Sequence, residues 1–178
     1  VGGNDDLVFD GGSFVVSPSG MLGELPVFVS GTLGVDITSE PISVVSTCAE
    51  EERWKALVLG TRDYFTKTGH DNALLGISGG IDSALVATIA TAALGKDAVT
   101  GVMMPSRFSS LGSIDDAETL ARSLCIQTVT LPIEQMHAAF EQTFEASCLQ
   151  TSGVASENAQ ARIRGVLLMA MANEQGAL

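Results

Sequence analysis

The feature that most constrains the fold is a short apolar segment that ends in two glycines and leads into a second apolar segment. Residues 73–77 read A-L-L-G-I, which has the length and character of a buried parallel strand. The S-G-G sequence at residues 78–80 breaks that strand, because glycine adopts backbone conformations that other residues resist. Asp82 and Ser83 are predicted to cap a helix that continues to Ala92.

A glycine loop at the start of a helix is a natural anion site, since free backbone N–H groups and the helix dipole converge there. Two common phosphate-binding patterns are absent, because no lysine follows the loop as in G-x-x-x-x-G-K-[ST] and no G-x-G-x-x-G is present. Residues 78–83 read S-G-G-I-D-S instead. A glycine-rich turn without a ligand is the alternative, and it leaves this combination of residues in a strand–helix context unexplained.

The S-G-G-I-D-S loop resembles the pyrophosphate-binding loop of the N-type ATP pyrophosphatases. These enzymes cleave ATP between the α and β phosphates and form an adenylated acid, from which a nitrogen nucleophile displaces AMP. The departing pyrophosphate carries concentrated charge, which N–H donors, hydroxyls and a carboxylate-held metal stabilise. The resemblance implies that Asp82 binds Mg²⁺. It also implies an ATP site made of Gly76, Ser78, Gly79, Gly80, Asp82, Ser83, Met104 and Arg107.

Composition narrows the class of protein. The chain has 178 residues, enough for one ordinary domain or one domain and a piece of another. Its net charge of −12 argues against a general nucleic-acid or anionic-membrane surface, and no apolar run has the length of a membrane span. The three cysteines show no C-x-x-C spacing, as suits a reducing compartment. We therefore expect a cytoplasmic protein that binds neither nucleic acid nor membranes.

The first 38 residues have a different, all-β character. A strand, a glycine kink and a second strand are predicted over residues 7–16, a returning strand over residues 21–29 and a short last strand over residues 34–37. The opening V-G-G-N-D-D-L-V-F-D-G-G-S-F-V resembles the final strands of the nitrilase-like glutaminase domain of glutamine-dependent NAD synthetases, an α+β sandwich. In that family this domain precedes an N-type ATP pyrophosphatase domain that carries S-G-G-I-D-S-A.

The resemblance implies a domain organisation. Residues 1–38 would be the last strands of an incomplete glutaminase domain, residues 39–52 a linker and residues 53–178 a C-terminally incomplete synthetase domain. The family's Glu–Lys–Cys glutaminase triad lies upstream of these strands, so no catalytic residue is identified in this chain. Cys48 follows the β segment and is not expected to be the glutaminase nucleophile.

Strands and helices alternate from residue 51 onward, which predicts right-handed crossovers and a parallel sheet. We expect a Rossmann-like α/β fold of the adenine nucleotide alpha hydrolase type, with helices on both faces. Residues 78–83 and 105–110 would both lie at the carboxyl edge of the sheet and could share one nucleotide. Arg107 fits a solvated loop residue as well as a ligand contact. The predicted helices span 51–67, 113–124, 133–146 and 157–174, the predicted strands 98–104 and 126–131, and residues 177–178 would begin another strand.

The last helix opens with E-N-A-Q-A-R-I-R at residues 157–164, with Ser156 as its predicted cap. Asn158 and Arg162 are four residues apart and so share a face. The segment resembles the E-N-x-Q-A-R-x-R signature of NAD synthetases, which helps bind the dinucleotide substrate. It implies that Asn158, Arg162 and Arg164 bind deamido-NAD. The alternative is a surface helix whose arginines form salt bridges.

The resemblance implies a carbon–nitrogen ligase that works as a homo-oligomer, a dimer or larger. ATP and Mg²⁺ would activate the nicotinate carboxylate of deamido-NAD, and ammonia from glutamine would attack the adenylate to give NAD, AMP and pyrophosphate. Other N-type pyrophosphatases, such as GMP synthetase or a tRNA-thiolating enzyme, share S-G-G-x-D-S. The N-terminal β segment and the E-N-x-Q-A-R segment argue against both. A nucleotide-binding fragment without turnover is the remaining alternative.

Overall fold

The computed structural model describes residues 1–4, 6–43, 47–148 and 152–178. These residues form two compact units, Val1–Gly69 and His70–Leu178. Within the part of the chain that the structure describes, no helix combines the length and the apolar character needed to cross a bilayer.

The N-terminal unit contains four short strands and one long helix, α1 (Ala49–Thr68). Two antiparallel pairs form, β1 with β2 and β3 with β4. The predicted strand, kink and strand are confirmed, whereas the returning strand ends at residue 24 and is shorter than expected. The strand bounds are β1 Gly2–Asn4, β2 Leu7–Phe9, β3 Phe14–Ser17 and β4 Gly20–Glu24.

The short strand predicted over residues 34–37 is absent, and this prediction was wrong. The Asp36 carboxylate accepts hydrogen bonds from the Thr38 backbone N–H at 2.9 Å and from the Thr38 hydroxyl at 2.7 Å. These bonds lower the pKa of Asp36, because they favour its charged form. A local aspartate turn has therefore replaced strand pairing here. Residues 44–46 of the predicted linker lie outside the described residues.

Helix α1 packs on β1 through small and charged residues. A Cβ added at Gly3 would lie 3.2 Å from the Cα of Gly60, so the two backbones approach closely. The Gly3 N–H donates to Asp63 Oδ2 at 2.7 Å, and Lys67 Nζ donates to the Gly3 carbonyl. The helix ends at Gly69, whose φ of 75° is the left-handed conformation typical of a helix C-terminus.

The sequence places Trp54, Leu57, Val58, Thr61, Tyr64 and Phe65 at helical spacing, which predicts an amphipathic helix whose aromatic residues pack against the sheet. For Trp54 and Tyr64 this prediction is wrong. Phe65 is buried, but Trp54, Leu57 and Tyr64 are exposed. The face of α1 that contacts β1 carries Gly60, since a small residue permits the close approach that an aromatic ring would prevent.

The C-terminal unit is an α/β fold in which strands and helices alternate, as predicted. Its three strands form one parallel sheet in the order β5-β6-β7. The elements are β5 Ala73–Gly76, α2 Ile81–Leu94, β6 Val99–Met103, α3 Leu111–Leu124, β7 Gln127–Thr130, α4 Glu134–Ala146 and α5 Val154–Gln175.

Leu178 adds the start of a further strand beside β5. Its N–H donates to the carbonyl of Asn72 at 3.0 Å, and Leu74 N–H donates to the carbonyl of Leu178 at 2.8 Å. This alternation is the bonding pattern of a parallel pair and agrees with the strand predicted to begin at residues 177–178, although no strand is assigned to these two residues.

Helices cover both faces of the sheet, which confirms the Rossmann-like arrangement. Right-handed crossovers from β5 to β6 and from β6 to β7 place α2 and α3 on one face, where they contact each other and β6. Helix α5 contacts β5, and α4 packs on α5. The core on this second face combines Val102, Met104 and Ile133 with Leu131, Ile163, Leu167, Leu168 and Met171.

Helices α1, α2, α3 and α5 begin earlier than predicted, and for α3 and α5 the cap residues show why. Helix α3 is capped by Ser110, whose hydroxyl accepts from the Ser113 N–H at 3.1 Å, so Ser113 is the third helical residue and not the cap. Helix α5 follows Gly153, and the predicted cap Ser156 lies within its first turn. Both predictions placed the cap at a nearby serine, and a serine hydroxyl is equally suited to bonds inside the first turn.

Candidate active site

The loop between β5 and α2 is built around two serine hydroxyls. The Ser78 N–H donates to Ser83 Oγ at 3.2 Å, and the Gly80 N–H donates to Ser78 Oγ at 3.3 Å. Ser83 Oγ in turn donates to the Gly80 carbonyl at 2.9 Å. The predicted cap at Asp82 and Ser83 is therefore wrong: Gly80 is the N-cap, and the Ser83 hydroxyl ties the loop closed.

Gly79 brings this loop against the first turn of α3. Its φ is 77°, a conformation that favours glycine. A Cβ added here would lie 2.3 Å from the carbonyl oxygen of Ser113 and 2.9 Å from its Cα. Glycine is required at this position both for backbone conformation and for space.

A cavity of about 620 Å³ opens beside the loop at the carboxyl ends of the strands. Its walls come from the β5–α2 loop, the end of β6, α3 and α5. The volume is within the range of small-molecule sites. Four of the predicted site residues line it, namely Gly76, Ser78, Met104 and Arg164.

Asp82 lies in the first turn of α2, directly after the loop, with its side chain exposed. No group of three or more histidines, cysteines or acidic residues is placed to hold a metal within the described ranges. Mg²⁺ does not require such a group, since it keeps several waters and binds one or two carboxylates together with substrate phosphates. A single carboxylate beside a phosphate loop fits this ion.

Arg107 is held by carboxylates of α4. Its Nη2 lies 2.6 Å from Glu141 Oε2, and its Nη1 lies 3.4 Å from Glu134 Oε1. The hydrogen bond to Glu141, followed by the charges of both glutamates, raises the pKa of Arg107 against the opposing effect of desolvation. Its guanidinium also sits 5.0 Å from the centre of the Phe108 ring. The ATP contact predicted for Arg107 stays a prediction, and its cationic group already has these partners.

Ser156, Gln160 and Arg164 are spaced four residues apart along α5, and we call them the loop-facing stripe. Arg164 Nε donates to the carbonyl of Met104 at 3.1 Å. Burial lowers the pKa of Arg164, because desolvation disfavours its charged form. Arg164 was predicted as a dinucleotide ligand, and the structure places it on the wall of the 620 Å³ cavity.

Asn158 and Arg162 share a face of α5, as the sequence predicts, and this face differs from that of Arg164. Arg162 Nη1 donates to the Asn158 carbonyl at 3.4 Å. Both line a second cavity of about 300 Å³ with apolar side chains of α4 and α5, among them Met136, Phe140 and Val166. The structure therefore brings Asn158 and Arg162 together and separates them from Arg164.

His137 on α4 was not singled out from the sequence, and it is completely buried. Its Nε2 lies 3.1 Å from Ser156 Oγ, and its Nδ1 lies 3.5 Å from Arg107 Nη2. The burial of His137 could have been predicted from its spacing, because it falls four residues after the buried Ile133 on the inner face of α4.

Replacing His137 with leucine should lower the free energy of unfolding by about 1–3 kcal/mol, because the Ser156 hydroxyl would lose a buried partner. Urea denaturation of both proteins measures this. The exposed Gln142 on the same helix provides the control, since Gln142→Leu should stay within about 0.5 kcal/mol of the parent. An unchanged denaturation midpoint in His137→Leu would contradict a structural role for this hydrogen bond.

Comparison with known proteins assigns this chain to a family. The sequence profile of the family described as NAD synthase matches residues 53–178. The glutamine-dependent NAD(+) synthetase of Synechocystis sp. is 47% identical over 187 residues, an alignment that covers the whole chain and 34% of that protein. The chain thus spans about a third of the length of the curated relatives it matches.

Solved structures agree with this match. The glutamine-dependent NAD+ synthetase from Acinetobacter baumannii, solved in complex with ADP, has a TM-score of 0.92 and 36% identity, covering 100% of this chain and 35% of that one. The NH3-dependent NAD synthetase from Campylobacter jejuni, solved with a nitrate ion, has a TM-score of 0.66 and 30% identity, covering 72% of this chain and 54% of that one. This chain therefore belongs to the NAD synthase family.

Proposed function

We propose that this chain provides the synthetase site of an enzyme that converts deamido-NAD to NAD with ATP, Mg²⁺ and ammonia derived from glutamine. The observation that carries the proposal is the S-G-G-I-D-S loop beside a cavity of about 620 Å³, which is lined by Ser78 of this loop and by Arg164. Family membership supports the same reaction. The relative from Acinetobacter baumannii, which binds ADP, supports ATP as the nucleotide.

ATP would bind with its phosphates at the β5–α2 loop. Ser78, Gly79, Gly80 and Ser83 lie at the positive end of α2. To bind phosphate, the Ser78 and Gly80 N–H groups would exchange their bonds to the Ser83 and Ser78 hydroxyls for bonds to phosphate oxygens. Gly76 and Met104 line the cavity and would contact the adenosine. Arg107 would have to leave Glu141 to reach a phosphate, which makes it the weakest member of the proposed ATP set.

Asp82 would hold the Mg²⁺ ion. When bound, the ion neutralises charge on the departing pyrophosphate. The position of Asp82 in the first turn of α2 adds a carboxylate where the helix dipole already favours negative charge.

Deamido-NAD would bind at the N-terminal half of α5. Asn158 and Arg162 offer an amide and a guanidinium to its pyrophosphate. Arg164 lies on the same helix but lines the nucleotide cavity. We therefore assign Arg164 to the point where the nicotinate carboxylate meets the α-phosphate of ATP.

The reaction then requires no side-chain nucleophile. The nicotinate carboxylate attacks the α-phosphorus and pyrophosphate leaves; ammonia attacks the acyl-adenylate carbonyl, loses a proton, and AMP leaves. The protein contributes alignment of the two substrates and stabilisation of developing charge, through the loop N–H groups and Arg164.

Pyrophosphate release, measured in the full-length enzyme that carries this sequence, tests the proposal. Release that requires ATP and deamido-NAD together, with either ammonium or glutamine as nitrogen source, is the expected result. Release with xanthosine monophosphate or tRNA in place of deamido-NAD would favour the other N-type pyrophosphatases. Binding of ATP without any pyrophosphate release would favour a nucleotide-binding module.

The domain organisation predicted from the sequence becomes part of this proposal. Residues 1–38 would belong to a glutaminase domain, 39–52 to the linker and 53–178 to the synthetase domain, and the family profile begins at residue 53. Helix α1 packs with β1 in the N-terminal compact unit and would connect the two domains.

We also propose that the protein is cytoplasmic and forms a homo-oligomer, a dimer or larger. Sedimentation of the full-length protein would test the oligomeric state.

Arg162→Ala should raise the apparent KM for deamido-NAD by about ten- to a hundredfold, because one charge-assisted contact is lost. The KM for ATP should change much less, since Arg162 lies outside the nucleotide cavity. Paired saturation curves for the two substrates make the measurement.

The control is Arg53→Ala, which removes an exposed arginine of α1 whose partner is Glu50. It should leave both constants unchanged. Equal effects of Arg162→Ala on the two substrates would indicate a folding defect, and an effect on ATP alone would move Arg162 into the nucleotide site.

A further inference from the structure

Helix α5 presents two sets of polar residues in different directions. The loop-facing stripe of Ser156, Gln160 and Arg164 faces the body of the unit, whereas Asn158 and Arg162 are exposed. Residues two apart on a helix diverge by about 200°, so the two sets occupy opposite sides of one rigid rod. A movement of α5 would displace both sets together.

Two members of the loop-facing stripe, Gln160 and Arg164, hold the loop between β6 and α3, residues 104–110. Arg164 Nε donates to the Met104 carbonyl at 3.1 Å. One turn earlier, Gln160 Oε1 accepts from Ser106 Oγ at 3.0 Å. Met104 and Ser106, two residues apart in the loop, are therefore bonded to Arg164 and Gln160, which are one turn apart on the helix. These two bonds hold the loop along the side of α5.

The bond between Gln160 and Ser106 is the more constrained of the two. Gln160 is only 7% exposed, so water competes weakly for its amide oxygen. The same Ser106 hydroxyl accepts from the Phe108 N–H at 3.3 Å. Donation to Gln160 therefore fixes the orientation of a hydroxyl on which the shape of the loop depends.

A third contact extends the arrangement to α4. Ser156 Oγ lies 3.1 Å from the Nε2 of the buried His137. The Ile133 N–H, at the start of α4, donates to the carbonyl of Pro105 at 3.0 Å. The loop, α4 and the first turns of α5 are therefore connected by partly buried polar bonds.

We propose that Gln160 is a positioning residue that couples ATP binding to deamido-NAD binding. Gln160 holds the loop at the nucleotide cavity on the helix that carries Asn158 and Arg162. When either ligand fixes its side of α5, the groups that the other ligand needs are already ordered, so each strengthens the binding of the other. This inference rests on the proposed function. It adds that Gln160 orders the groups that bind the two ligands.

Calorimetry on the full-length enzyme tests the coupling. The Kd of α,β-methylene-ATP, which cannot be cleaved at the α–β bond, is measured with Mg²⁺ in the presence and absence of saturating deamido-NAD. In the parent protein we expect deamido-NAD to tighten nucleotide binding by at least about fivefold. In Gln160→Leu, which keeps the bulk but removes the acceptor, this ratio should fall close to one.

Three further variants separate coupling from a general structural defect. Gln160→Glu keeps an acceptor oxygen for Ser106 and should retain the ratio. Ser106→Ala removes the donor and should lower the ratio as Gln160→Leu does, with no further loss when the two are combined. Gln142→Leu changes an exposed glutamine of α4 and should leave the ratio unchanged.

A parent-like ratio in Gln160→Leu, or in Ser106→Ala if the first variant fails to fold, would overturn the inference. So would a parent protein that binds both ligands with a ratio of one. A parent protein that binds neither ligand would overturn the proposed function instead.

Discussion

Asp82→Ala should reduce turnover by at least about a thousandfold, because it removes the carboxylate proposed to hold the ion that neutralises the leaving pyrophosphate. The fold should be nearly unaffected. The side chain is exposed in the first turn of α2, and the hydrogen bonds that close the β5–α2 loop are made by Ser78, Gly80 and Ser83. Loss of an exposed side chain of this kind usually changes stability by less than about 0.5 kcal/mol.

The measurement is the rate of pyrophosphate release as a function of Mg²⁺ concentration, together with thermal denaturation. Asp97→Ala is the matched control, since Asp97 is an exposed carboxylate that precedes β6 at the opposite edge of the sheet. It should leave the rate unchanged. A parent-like rate of Asp82→Ala at saturating Mg²⁺ would show that Asp82 has no role in metal binding.

The sheet and the glycine loop after β5 could be predicted from sequence because each has a strong local signal. Residues 73–77 form a short apolar run that ends in glycines, and a strand and loop are found there. The same reasoning located β6, which is mostly buried, whereas β7 was placed between two helical patterns although its four residues are largely polar and exposed. Asn158 and Arg162 were placed on one face by their spacing alone, and the structure confirms that placement.

Helix starts could not be predicted as well, because several nearby residues could serve as caps. Ser110 and Ser113 are both suited to the start of α3, and the choice depends on which hydroxyl accepts from which N–H. At α2, Ser83 makes its bonds inside the loop, which leaves Gly80 as the cap. Such choices are decided by three-dimensional geometry that a residue pattern does not contain.

Tertiary hydrogen bonds were beyond sequence reasoning altogether. Gln160 and Ser106 are separated by 54 positions, and His137 and Ser156 by 19. Nothing in the local sequence indicates that these pairs meet, since each residue alone is compatible with a solvated helix or loop. The same limit applies to Arg107, whose ion pairs with α4 depend on how that helix packs.

Gly79→Ala should weaken ATP binding by about a hundredfold or more, because two separate penalties act on one residue. Residues held at unfavourable backbone angles cost about 1–3 kcal/mol, and overpacking adds a similar amount. At Gly79 the φ of 77° gives the first penalty, and a Cβ only 2.3 Å from the Ser113 carbonyl oxygen gives the second. The loop must move away from α3, and its N–H groups would leave the positions at which they bind phosphate.

Gly69→Ala isolates the contribution of the close approach. Gly69 has a φ of 75°, nearly that of Gly79, but a Cβ added there meets nothing within 4 Å. The Gly69→Ala variant should therefore have only the penalty for the unfavourable backbone angle, about 1 kcal/mol of stability, and should keep the parent affinity for ATP. Equilibrium binding of α,β-methylene-ATP and urea denaturation of both variants make the comparison. If Gly79→Ala lost no more affinity than Gly69→Ala, the contact with Ser113 would not position the phosphate loop, and the proposed geometry of the ATP site would have to be revised.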